Sequence, residues 1–119
     1  MVKLFNEDTF SALAQLPNDS ADMLLVDLPY GTTACKWDSV IPLDRLWEEY
    51  YRVVKHNGAM VFTASQPFTT ALAASNLKDF RYEWIWEKPQ GTNPLHAKRM
   101  PLKSHEDILV FYRKQPTYN

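Results

Sequence analysis

A single cysteine, Cys35, stands in the 119-residue sequence, so no disulfide can close within the chain. No acid or histidine partner can be assigned to it from the sequence, and it reads as a structural or incidental thiol rather than a nucleophile. No run approaches the roughly 18 apolar residues that a membrane span requires. The stretch up to Ser20 holds acids and no continuous apolar segment suited to a signal peptide, so a cytoplasmic protein is expected. Glycine occurs only at Gly31, Gly58 and Gly91, and internal repeats and low-complexity segments are absent, which argues against disorder and against a solenoid. The formal net charge of -1 lacks the basic excess common in nucleic-acid binders, so any such role must rest on local charge.

What is present is a 45% hydrophobic chain long enough for one modest core and one domain. Apolar side chains at positions 10, 13 and 16 take a helical step that Pro17-Asn18-Asp19 stops. Met23 to Val26 form an unbroken apolar run ending in Asp27, the pattern of a strand buried on both faces of a parallel sheet. From Leu43 to Val54 a broad apolar stripe predicts a helix, with Asp44, Glu48, Glu49 and Arg52 on its other side. Asn57-Gly58 reads as the end of that helix, Gly being common just past a C-terminus.

Residues 59–63 then read as a strand, and residues 68–77 as a helix with Pro67 at its first turn. Tyr82 to Trp86 and Ile108 to Tyr112 read as two aromatic or β-branched strands separated by a long irregular stretch. Trp84, Ile85 and Trp86 are assigned to the core. Strands alternating with helices predict an α/β domain, with a largely parallel sheet and an antiparallel hairpin at its edge. In such sheets ligands bind beyond the carboxyl ends of the strands, where Asp27 to Gly31 and Ser65-Gln66-Pro67 lie.

A strand that ends in an acid and turns through Pro, an aromatic residue and Gly has an ordinary explanation as a turn capped by Tyr30. Asp27-Leu28-Pro29-Tyr30 also resembles the Asp-Pro-Pro-Tyr signature of the amino-group DNA methyltransferases, which modify adenine N6 or cytosine N4. Leu16 to Asp22 resemble the family's approach to this strand, and Lys36-Trp37-Asp38 resembles phage and bacterial members. Val54 to Ala59 are similar to its helix-to-strand junction. Trp86-Glu87-Lys88 and His105 to Phe111 resemble its last two strands, so the resemblance covers nearly the whole chain. The departure is Leu28, where the family usually has Pro.

The resemblance implies a Rossmann-like methyltransferase sheet and names Asp27, Leu28, Pro29 and Tyr30 as catalytic. An exocyclic amino nitrogen is a poor nucleophile because its lone pair is delocalised into the ring. Asp27 and a backbone carbonyl of Leu28 or Pro29 would accept its hydrogens and aim the lone pair at a methyl sulfonium. Pro29 suits a loop whose carbonyls must hold a fixed direction. Tyr30 would stack on a base flipped from the duplex, a contact contributing on the order of 1–3 kcal/mol. Asp in the first position resembles adenine-N6 members more than cytosine-N4 members, which more often begin with Ser.

The implied donor is S-adenosylmethionine, with Asp8 and Asp27 near it. Asp8 also suits an ordinary N-cap. The family's Phe-x-Gly-x-Gly cofactor loop is absent, which resembles the subgroup in which the catalytic motif precedes the cofactor motif. The sequence is therefore expected to be the catalytic part of a larger domain. Lys88, Lys98, Arg99 and Lys103 mark a basic stretch that reads either as a solvated loop or as a contact to DNA phosphates. His96 and His105 carry no metal-ligand pattern, and no metal is expected. A catalytically silent nucleic-acid-binding fragment is the rival reading. The oligomeric state stays open, with a homodimer as one outcome.

Overall fold

The computed structural model describes residues 1–31, 41–92, 101 and 103–118, with the side chains of 90–92 and 103 excepted. In chain order the elements are α1 (Thr9–Ala14), β1 (Ala21–Asp27), α2 (Leu43–Val53), β2 (Val54–Ala64), α3 (Phe68–Ala74), β3 (Phe80–Thr92) and β4 (Lys103–Phe111). The strands form one sheet in the order β1-β2-β4-β3. β1 pairs with β2 in parallel, while β4 pairs antiparallel with both β2 and β3. Three of the four strands therefore run in one direction and only β4 is reversed. The hairpin of β3 and β4 forms one side of the sheet, with β3 outermost.

The registers place Leu24 and Val26 of β1, Met60 and Phe62 of β2, and Leu109 and Phe111 of β4 on one face. That face carries the core. Leu13 of α1, Leu46, Trp47, Tyr50 and Val53 of α2, and Phe68 and Leu72 of α3 join it in a single cluster. The broad stripe read from the sequence of α2 is thus its buried face. Arg52, on the edge of that helix, donates to the carbonyls of Leu13 and Leu16 at 2.8 Å each. It ties the end of α1 to α2 by adding side-chain donors to carbonyls at and just past the helix C-terminus.

The opposite face differs from expectation. Met23 and Leu25 are 55% and 69% exposed, and Trp84 and Trp86 are 54% and 52% exposed. The reading of β1 as buried on both faces, and of Trp84, Ile85 and Trp86 as core, is corrected accordingly. Among the described residues every helix contributes to the cluster on the other face, so Met23, Leu25, Trp84 and Trp86 have no layer to pack beneath, while Ile85, paired with Asp107 on the helix-bearing face, is 58% exposed on the outermost strand. An apolar run specifies that a strand can be covered twice, but the covering layer must come from elsewhere.

Two boundaries moved for identifiable reasons. β2 begins at Val54, and its pairing with β1 skips from Ala21↔Val54 to Met23↔Ala59. Gly58 is therefore not a helix-terminating residue but part of an irregular strand entry. A Cβ there would lie 2.5 Å from Val54 Cγ1 and 2.8 Å from the carbonyl oxygen of Asp22, so close backbone approach is what demands glycine. The irregular stretch expected between the last two strands is also shorter than read, because β3 runs on to Thr92 and β4 starts at Lys103. Cross-strand pairing extends both arms beyond their most apolar residues.

Candidate active site

The carboxyl ends of β1 and β2 and the start of β4 meet at one edge of the sheet. Parallel register sets Asp27, the last residue of β1, directly beside Thr63 of β2. The Thr63 hydroxyl donates to Asp27 Oδ1 at 2.7 Å. The Tyr30 hydroxyl lies 3.3 Å from the same oxygen and 3.4 Å from Thr63 Oγ1. Asp27 thus presents an exposed carboxylate whose orientation is fixed through one oxygen. A carboxylate has about four lone-pair sites, so these donors leave capacity for another hydrogen.

The loop that follows is anchored by a side chain that the sequence reading treated as the anomaly. Leu28 is only 7% exposed and belongs to the core cluster. Its burial holds the backbone between Asp27 and Pro29 against the sheet, while Pro29 restricts φ at the next position. Gly31 then adopts φ 73°, a left-handed conformation that lets the chain turn away after Tyr30. The Tyr30 ring is half-buried and stacks on Phe68 of α3, with ring centroids 5.3 Å apart and planes 20° from parallel. Partial burial pushes its hydroxyl from 10.0 up to about 12, with the nearby Asp27 and Glu106 carboxylates adding to the rise and the Thr63 hydrogen bond opposing it.

The neutral phenol is therefore kept as a hydrogen-bond donor throughout the physiological range. Burial likewise pushes Tyr50 up to about 12 and raises Tyr51. In each case the folded-state value lies above the unfolded one, so the unfolded chain loses its protons first as pH rises. Stability is expected to be unaffected by these groups below pH 10 and to fall between pH 10 and 12. Guanidinium midpoints across that range would show it, and Tyr50→Phe should remove part of the fall. A profile as steep in Tyr50→Phe as in the unsubstituted chain would contradict the assignment.

Asp8 acts as the N-cap of α1, its Oδ2 accepting from the amides of Phe10 at 3.0 Å and Ser11 at 3.4 Å. It remains exposed. Lys88 lies within β3 rather than in a loop, and its ammonium is 3.4 Å from Glu106 on β4. Such a half-buried surface pair contributes on the order of 0–1 kcal/mol. Lys103 opens β4, its side chain lying outside the described residues, as do Lys98, Arg99, His96 and Cys35 altogether. Among the described residues no group of His, Cys, Asp and Glu is arranged to hold a metal, and no helix is long and apolar enough to cross a membrane.

Thr63, Phe68 and the buried pair Thr69 and Asp107 were not singled out in the sequence. Thr63 belongs to the site only because parallel pairing sets it opposite Asp27, and Phe68 only because α3 begins beneath Tyr30. Sequence spacing carries neither relation.

The same overall fold also occurs in solved structures. The whole chain superposes on 61% of the M1.HpyAVI–SAM complex, with a TM-score of 0.69 and 19% identity. It matches 50% of the PvuII DNA methyltransferase, described as cytosine-N4-specific, over 95% of its own length, with a TM-score of 0.66 and 11% identity. The chain has the DNA methyltransferase fold. In sequence, 98% of this methyltransferase-fold chain aligns with the type II methyltransferase M.BglII of Bacillus subtilis at 28% identity. It spans 36% of that relative's length. No family model matches the sequence.

Proposed function

We propose that this chain provides the catalytic part of an S-adenosylmethionine-dependent DNA methyltransferase that modifies the exocyclic amino group of a flipped-out base, adenine N6 by preference. The observation that carries the reading is the Asp27 carboxylate, exposed at the carboxyl end of β1 yet fixed by Thr63, beside a half-buried aromatic ring. Asp27 accepts one amino hydrogen, and a carbonyl of the Leu28-Pro29 backbone accepts the other. Together they favour a tetrahedral nitrogen with its lone pair directed outward. Tyr30, supported from below by Phe68, offers the base a ring to stack on.

The exposed carboxylates of Asp8 and Asp27 fit one side of a cofactor rich in amino and hydroxyl donors. S-adenosylmethionine, when bound, supplies a methyl group made electrophilic by its sulfonium. The three glycines do not form a glycine-rich loop, so these residues would hold only part of it. Relatives support the choice of donor, one solved neighbour being a SAM complex. Lys88, Lys98, Arg99 and Lys103 would contact DNA phosphates, which position the duplex without reading its sequence.

The presence of a cytosine-N4-specific enzyme among the neighbours keeps cytosine N4 as the second reading of the base. Incubating the whole protein that carries this chain with methyl-labelled S-adenosylmethionine and DNA, then hydrolysing the DNA to nucleosides, decides between them. Label is expected in N6-methyladenine. Label in N4-methylcytosine would reverse the base assignment. Retained DNA binding with no cofactor uptake and no transfer would sink the enzymatic reading in favour of a silent nucleic-acid-binding fragment.

A further inference from the structure

We propose that Thr69 and Asp107 are positioning residues for Tyr30, the hydrogen bond between them holding Phe68 beneath the tyrosine ring. The inference rests on the reading of Tyr30 as the base-stacking residue. Its starting point is that the Tyr30 hydroxyl contacts, at 3.3 and 3.4 Å, are too long to fix a ring plane. The stack on Phe68 must do so.

Phe68 is 4% exposed and is the first residue of α3. Several bonds hold that first turn to its own neighbourhood. The Thr69 amide donates to Ser65 at 3.2 Å, and the Thr70 amide and hydroxyl donate to Gln66 Oε1 at 3.1 and 2.8 Å. These shape the turn without fixing it against the sheet. The bond from the Thr69 hydroxyl to Asp107 Oδ2, at 2.6 Å, crosses to β4.

Both partners are 5% exposed. Burying a carboxylate is unfavourable unless it is well paired, and an apolar pair of similar volume often serves stability as well or better. Here Thr69 satisfies one oxygen, and His105 Nε2 lies 3.5 Å from the other. Asp107 is flanked in the sheet by Ala64 and Ile85, at the same edge as Asp27 and Thr63. A short, directional bond at this place sets the height and rotation of α3, a role for which an apolar contact would be less specific. Released from it, the first turn can pivot and the platform beneath Tyr30 moves.

The test reads the stack in the full chain and needs no methyl transfer, so its outcome is separable from that of the catalytic reading. Ring protons of Tyr30, identified by their loss in Tyr30→Phe, are followed by NMR. Phe68→Leu defines their position without the stack. Thr69→Val, which keeps the shape and removes the hydroxyl, should move them at least halfway toward that position. Asp107→Asn, which keeps an acceptor oxygen, should move them less, and Thr69→Ser should restore the original position. Unmoved signals in Thr69→Val would overturn the inference, as would a Thr69→Ser chain that shifts as far as Thr69→Val. Loss of far-UV circular dichroism in both Thr69→Val and Asp107→Asn would also overturn it, by assigning the pair to overall folding.

Discussion

Replacing Asp27 by Ala is expected to lower methyl transfer on the order of a hundredfold to a thousandfold, the scale seen when one preorganised polar group is removed from a reacting centre. The fold should survive the change. Asp27 is exposed at the end of an edge strand, and its partners Thr63 and Tyr30 remain reachable by solvent once the carboxylate is gone. DNA affinity should change little, because phosphate contacts supply most of it and Asp27 is not cationic. Single-turnover transfer rates measured beside DNA binding separate these effects. Thr63→Val offers a graded comparison, since it leaves the acid but removes the 2.7 Å hydrogen bond that orients it, and a smaller loss is expected. Transfer unchanged in Asp27→Ala would remove Asp27 from the chemistry.

Phe111→Ala should be the most disruptive single change to stability, costing about 3–5 kcal/mol. Phe111 is fully buried on β4, the reversed strand inside the sheet. Its ring packs on Trp47 of α2 at 4.8 Å, Phe62 of β2 at 5.5 Å and Phe80 of β3 at 5.4 Å. One substitution therefore opens a cavity where a helix and three strands meet. Small domains are commonly stable by only about 5–15 kcal/mol, so the loss takes a large share of the total. Trp84→Ala provides the contrast. Its ring is 54% exposed on the uncovered face, and a change within about 0.5 kcal/mol is expected. Urea midpoints for the two variants measure the difference, and comparable losses would show that the second face is covered in solution.

The expected pattern of elements held because each rested on local chemistry. The stripe from Leu43 to Val54 has one packing solution as a helix, and the apolar runs at 23–26 and 59–63 are too short and too uniform for surface helices. The acid at the end of the first run and the turn residues after it pointed to the carboxyl edge as the candidate site, since strand ends in such sheets are where ligands bind. Asp27 and Tyr30 were singled out for that reason, and the structure sets them beside Thr63. Leu28 departs from the motif, and its burial beneath the loop is something no motif encodes.

By itself the sequence determined the succession of helices and strands, the acid-proline-aromatic loop and the scarcity of glycine. Tertiary structure decided the rest. The insertion of β4 between β2 and β3 depends on pairing between segments far apart in the chain. The meeting of Asp27 with Thr63, and of Tyr30 with Phe68, depends on register and on where a helix begins. The uncovered face depends on how many layers the chain can supply. Hydrophobic patterning reports what each residue would bury, whereas only the assembled sheet reports what is there to bury it.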